Sequence, residues 1–200
     1  MTTLEPAEQT PRPPEQTLSP RPKRADARRN YDKVIDAARQ AFAESGTSAS
    51  LEEIARRAGV GIGTLYRNFP NRQALLEAVY VGEVDQLCHS VADLEGMEPW
   101  DALVAWLRRF VAYMATKKAL AHELLEYHEI GGPLFTTCRG AMFTAGEPLV
   151  ARAQEAHAIR SDTDFAEIIA LVGGIAKIQA EPEQLDHLLE IALDGLRPRG

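Results

Sequence analysis

Two cysteines in 200 residues, Cys88 and Cys138, are too few and too far apart for a disulfide framework. Neither belongs to a CxxC pair or has a histidine-rich neighbourhood, so a zinc site is not expected and both read as small apolar core residues. Apolar runs are also short. None approaches the roughly 20 residues that a membrane-spanning helix requires. The N-terminus lacks the basic-then-apolar pattern of an export signal, which predicts a cytoplasmic protein with no membrane partner. Catalytic signatures are missing as well: GxSxG, GxGxxG, a P-loop and HExxH do not occur. Glu126, His128 and Glu129 gather acid and base groups, yet helical spacing does not bring the three to one face. His89 and Cys88 are adjacent, so on a helix they point apart. The expectation is therefore no enzyme, no metal and no cofactor. Strand candidates and internal repeats are absent too.

What is present is helical periodicity. With 45% hydrophobic residues the chain is long enough to bury a real core. It reads as all-α, about nine helices, in three parts: a polar tail over 1–24, a small domain over 25–70 and a larger helical bundle over 71–200. The tail holds six of the twelve prolines and no apolar period, so it is expected to be disordered.

The chain is organised around Ser50 to Leu76, SLEEIARRAGVGIGTLYRNFPNRQALL. Ser50 is an N-cap candidate and Glu53 completes a capping box. Leu51, Ile54, Ala55 and Ala58 repeat at helical spacing, and Gly59 ends that helix in a conformation glycine adopts cheaply. The next helix opens with compact residues, Gly61, Ile62, Gly63 and Thr64. Leu65 and Phe69 turn inward, which leaves Thr64, Arg67 and Asn68 outward with Tyr66 beside them. Pro70 ends the segment and Asn71 caps the helix after it. Two helices around a glycine turn, the second presenting donors, are the layout of a helix-turn-helix. An ordinary packed helix pair has the same generic pattern.

Charge is unevenly divided. The net charge is −7, an odd value for a nucleic-acid binder. From Arg21 to Tyr80, however, 11 Lys and Arg face 7 Asp and Glu, whereas from Val81 to Gly200 the numbers are 10 and 19. The basic excess lies beside the helix-turn-helix, where phosphate neutralisation would need it. Arg21, Lys23, Arg24, Arg28 and Arg29 form a basic cluster that reads either as a solvated charge run or as an arm that grips phosphates. Arg72 sits at a helix start, where the dipole disfavours a cation, and this suggests a phosphate partner.

Further helices are expected over Ala25–Ser45, from Arg72 unbroken to Leu94, over Trp100–Thr116, Lys118–Glu129, Leu134–His157, Asp162–Lys177 and Pro182–Leu196. Trp106, Phe110, Tyr113, Phe135, Cys138 and Met142, with His128 as a polar member, are candidates to line a mostly apolar pocket; taken singly, each fits a filled core equally well. Val172, Gly174, Ile175, Leu185, Leu188, Leu189 and Ala192 suit either intrachain packing or a helix–helix dimer interface.

The segment AxxAGVGxGTLYxxFPxRxxLL resembles the signature of the TetR family of transcriptional regulators over about Asp26 to Tyr80. WxxLVAWLRRFVAYMATKKAL, PLFTTCRGAM and LVGGIAK resemble an actinobacterial-type subset of that family. The resemblance implies a homodimer formed through the last two helices, a near-palindromic double-stranded DNA operator and a small, mostly apolar effector that lowers DNA affinity, and so a repressor. It implies groove contacts from Ile62, Gly63, Thr64 and Arg67, and backbone contacts from Ser50, Tyr66, Asn68, Arg72, Arg28 and Arg29. The chain departs from the family pattern at Gly61, where Ser is common, and at Arg72, where Lys is common; a hydroxyl–phosphate contact at position 61 is therefore not implied. The competing expectations are a protein of the same fold that serves as an interaction module without operator binding, and an activator in place of a repressor.

Overall fold

The structure is a computed structural model that describes residue 22 and residues 25–198. The tail expected over 1–24, including Arg21, Lys23 and Arg24, thus lies outside the described residues apart from Pro22, as does the His122 side chain. Among the described residues all regular structure is helical. The α-helices are α1 (Ala25–Ser45), α2 (Leu51–Arg57), α3 (Ile62–Asn68), α4 (Arg72–His89), α5 (Pro99–Tyr127), α6 (Pro133–Glu155), α7 (Phe165–Ile175) and α8 (Pro182–Asp194). Single 3-10 turns come after α1 and α4, at Gly46–Ser48 and Ala92–Leu94.

α1 forms because Tyr31, Val34, Ile35, Ala38, Ala41 and Phe42 recur every three or four residues and bury one stripe. That stripe packs on α2, α3 and α4, and also reaches α5. The bundle beyond is built around α4, whose main neighbours are α5 and α6; α7 closes over α5 and α6, and α8 packs on α7. One apolar cluster runs from Tyr31 on α1 to Leu196 after α8, without a gap between the small N-terminal bundle and the rest.

α6, α7 and α8 differ from their expected ranges by up to three residues at their ends, and two differences are larger. α4 does not continue to Leu94. It stops at His89 because its last carbonyls find other donors: the Ser90 hydroxyl donates to Leu87 O at 2.7 Å, Trp106 Nε1 donates to the same carbonyl at 3.2 Å, and Arg109 Nη1 donates to Ser90 O at 2.7 Å. In the other direction, the two helices expected over 100–116 and 118–129 are one 29-residue helix. Thr116-Lys117-Lys118 contains no glycine or proline, and the small helix penalty of Thr is outweighed by the backbone hydrogen bonds that a break would forfeit. At 1.5 Å per residue this rod is about 43 Å long.

Candidate functional site

The helix-turn-helix is defined by its caps. Ser50 Oγ accepts the Glu53 amide at 3.2 Å. The reciprocal half of the expected capping box is replaced, because the Glu53 carboxylate binds Arg56 at 2.7 and 2.9 Å and Arg57 at 2.7 Å. Hydrogen bonds from Arg57 and then Arg56 hold the Glu53 pKa below its ordinary value. The reciprocal box forms elsewhere, between Asp164 and Glu167 at the head of α7. α2 ends at Gly59, φ +65°, with Val60 N donating to Ala55 O at 3.0 Å and Gly59 N to Arg56 O at 3.2 Å. This pair of bonds is a Schellman closure, and it aims α3 across α2.

α3 buries Leu65 completely and leads into buried Phe69, whose ring lies 4.9 Å from that of Tyr31. Its other side is open. Ile62 and Tyr66 are large apolar side chains left 39% and 45% exposed, Arg67 is exposed, and Thr64 and Asn68 are half-buried. Arg67 folds back along its own helix, donating to Thr64 Oγ1 at 2.9 Å and Gly63 O at 3.2 Å. Asn68 Nδ2 donates to Thr64 O at 2.9 Å. A Cβ added at Gly61 or Gly63 would meet open space, and neither glycine has a positive φ. Nothing within the chain requires glycine at either place, so α3 presents a surface that something else can approach to backbone distance.

The other residues expected at this face are divided. Arg28 and Arg29 are exposed on the first turns of α1, Arg29 paired with Asp26. Arg72 turns inward instead. Its guanidinium forks onto the Glu123 carboxylate of α5 at 2.5 and 3.2 Å, donates to Ala49 O at 2.5 Å and lies 5.4 Å from the centre of the Phe42 ring. A carboxylate 51 residues away, which helix periodicity does not reveal, thus accounts for the cation at the head of α4. Nearby, His128 Nε2 meets Glu77 Oε1 at 2.8 Å, and Arg39 of α1 pairs with Glu83 of α4.

A cavity of about 990 Å³ lies between α4, α5, α6 and α7. Of the seven pocket candidates, Phe110, Tyr113, Phe135 and Met142 line it; Trp106, His128 and Cys138 do not. Trp106 is fully buried behind Phe110, held by its bond to Leu87 O and stacked at 6.1 Å on the Phe110 ring. His128 is occupied by Glu77, and Cys138 points into the core, where burial pushes its thiol up to about 12. Cys88 rises to about 11 for the same reason, so both thiols stay protonated near neutral pH. Lining residues that the sequence does not single out include Tyr80, Met114, Phe143, Phe165, Ile169 and Gly173, together with Lys117, Arg139 and Lys177. Tyr113 donates its hydroxyl to Tyr80 at 3.3 Å, and burial raises the pKa of both phenols, Tyr80 to about 12. Each of these residues has an ordinary core or surface role in its own helix, and only the meeting of four helices reveals the shared space.

Of the residues named for a dimer face, Val172 and Leu189 are 1% and 2% exposed and point into the chain's own core. Ile175, Leu185, Leu188 and Ala192 are half-buried, and Gly174 borders the cavity. Leu171, Ile178 and Ile191, not singled out in the sequence, are 47%, 43% and 56% exposed and extend an apolar strip along α7, the turn after it and α8.

Comparison with known proteins agrees with this geometry. Residues 34–79 match the family described as "Bacterial regulatory proteins, tetR family", and residues 98–198 match "Transcriptional regulator SbtR-like, C-terminal domain". A crystal structure of the TetR transcriptional regulator SCO0520 from Streptomyces coelicolor is 42% identical, covers 84% of this chain and 99% of its own, and superposes with a TM-score of 0.75. The TetR transcription regulatory protein from Mycobacterium vanbaalenii is 34% identical over 88% of this chain and 99% of its own, TM-score 0.72. The HTH-type transcriptional regulator SrpR of Pseudomonas putida is 35% identical over 82 residues, 40% of this chain and 38% of that protein. The chain spans between about two fifths and three fifths of the curated relatives it matches. The helix-turn-helix, the helical bundle behind it and these matches to both parts identify the chain as a member of the TetR family of DNA-binding transcriptional regulators.

Proposed function

We propose that the protein is a homodimeric repressor that binds a near-palindromic operator through α3 and leaves it when a small molecule occupies the cavity. One observation carries the DNA half of this reading: the outward face of α3 joins exposed Tyr66 and Arg67 to two glycines that no intrachain contact requires. Backbone that close to a groove lets Thr64 and Arg67 reach base edges, while Tyr66, Asn68, Arg28 and Arg29 suit phosphates. Arg72 serves as a strut in this scheme, because Glu123 and Ala49 O already engage it. The exposed strip of Leu171, Ile178 and Ile191, with half-buried Leu185, Leu188 and Ala192, is the candidate dimer face; a twofold axis there would relate two α3 helices and two half-sites. The boundaries adopted are 25–70 for DNA binding and 71–200 for sensing and dimerisation.

α5 supplies the link between sites. Tyr113, Met114 and Lys117 face the cavity, and Glu123, about 9 Å farther along the same helix, grips Arg72 at the foot of the helix-turn-helix. A ligand that shifts α5 thereby moves the support of α2 and α3, and it acts only as far as it favours the DNA-incompetent arrangement.

The test is fluorescence anisotropy of the full chain on the DNA upstream of its own gene, against a scrambled duplex, at two salt concentrations. Preferential binding that weakens steeply with salt is expected. A duplex selected from a random library replaces the upstream DNA if both bind equally weakly. If neither the upstream, scrambled nor selected DNA binds at low salt, the interaction-module reading replaces this one.

A further inference from the structure

The cavity wall is mostly apolar, with Tyr80, Phe110, Phe135, Met142 and Phe165 among its lining residues. Its charged members are all of one sign. Lys117 from α5, Arg139 from α6 and Lys177 from the turn after α7 border it, and among the described residues the lining includes no Asp or Glu. Chance composition predicts the reverse, because residues 81–200 carry 19 acidic side chains against 10 basic ones. Among the described residues, none of the three cations joins an ion pair with a carboxylate. Arg139 and Lys177 are exposed, whereas Lys117 is half-buried. Arg139 is held over the Phe143 ring at 5.1 Å, which restricts its guanidinium before any ligand arrives.

The three cations also act on one another. Burial disfavours the charged form of Lys117, and the Lys177 and Arg139 charges push its pKa down in the same direction. Like charges gathered at an apolar opening, without acids to compensate them, are relieved by a bound anion.

We propose that the cavity takes an amphipathic anion: a small molecule with an apolar body seated among Tyr80, Phe110, Phe135 and Met142, and one carboxylate-type head held by Lys117, Lys177 and Arg139. This narrows the effector reading above and depends on it for its regulatory meaning, although binding itself can be measured without DNA. The volume lies at the upper end of the roughly 300–1,000 Å³ usual for ligand pockets and admits a body of about ten carbons with space to spare. A neutral or cationic analogue of the same body would leave the three charges uncompensated.

The experiment titrates the full-length protein by calorimetry with decanoate, decanol and decyltrimethylammonium at matched ionic strength. Decanoate is expected to bind at least about tenfold more tightly than either analogue. The variant Lys117→Met with Lys177→Met should abolish that preference while retaining decanol binding, and Lys118→Met, an exposed charge off the cavity, should retain it. Retained decanol binding by the double variant also shows that its cavity is still folded. Equal binding of all three probes, or a preference that survives the double variant, overturns the proposal, as does an equal loss in Lys118→Met, which would mean net charge alone is read. Operator anisotropy with decanoate present then separates the two readings. A charge preference without any change in DNA affinity upholds the anion site and sinks effector release, whereas release by decanol as well as by decanoate does the opposite.

Discussion

The two ends of this molecule use the same helices for opposite purposes. α1, α2 and α3 close their core with Phe42, Ile54, Leu65 and Phe69 and leave Ile62, Tyr66 and Arg67 outside on α3. The bundle of α4 to α7 does not close, and its distinctive side chains look inward on a cavity. A tight core beneath an open face gives a rigid surface suited to a rigid partner. A core with a gap can be filled, and filling it changes the spacing of the helices around it. The contrast teaches that the two ends differ in packing density, with Arg72 and Glu123 at the join; under the proposed function, recognition falls to the dense end and response to the open one.

The largest test of that contrast is Trp106→Ala. Trp106 is fully buried behind the cavity wall, and its removal should cost about 3–5 kcal/mol. Because one apolar cluster spans both ends, urea unfolding should remain a single transition at a lower midpoint; two separated transitions would show that the ends are independent. Gly146→Ala comes next, at about 1–3 kcal/mol by overpacking, since a Cβ there would overlap the Phe165 ring edge and lie 3.0 Å from Trp106; thermal unfolding reads it. Arg67→Ala should reduce base discrimination by about 1–3 kcal/mol at one position of each half-site, with an unchanged melting temperature, as competition binding against single-base operator variants will show. An unaltered preference would remove α3 from the reading role. Glu123→Gln weakens a charge-assisted fork whose side chains are 24% and 10% exposed, and about 1–2 kcal/mol of stability should go with it. The sharper readout is coupling: any ligand-induced change in operator affinity should shrink. Smallest is Ser50→Ala, about 1 kcal/mol by chemical denaturation, through loss of one cap.

The legible part of the sequence was the part whose signals are local. Ser50, Gly59, Leu65 and Phe69 fix the helix-turn-helix within about 20 residues, and each occupies the role its type predicts. Pro99, Pro133 and Pro182 likewise start their helices at the first turn. Errors arose where a distant partner decides. A cation at a helix start makes Arg72 read as a phosphate contact, yet its carboxylate comes from α5. Trp106 and Cys138 share the apolar period of true lining residues but face away from the cavity, a distinction set by helix rotation. Lys117, Arg139 and Lys177 stand on α5, on α6 and in the turn after α7, and no linear pattern joins them. Val172 and Leu189 are inward neighbours of outward Leu171 and Ile191, an offset of one or two residues that small-residue stripes do not resolve.

Gly146 has a meaning beyond its effect on stability. Phe165 presses against α6 where a side chain is missing, and the same ring forms part of the cavity lining. The separation of α6 from α7 is therefore set by an atom that is not there, and the width of the cavity with it. A methyl group at 146 would push Phe165 toward the empty space and shorten the longest body that fits, leaving the three cations untouched. If the cavity holds the proposed anion, ligand length and ligand charge fall to different residues, the first to position 146 and Phe165 and the second to the three cations.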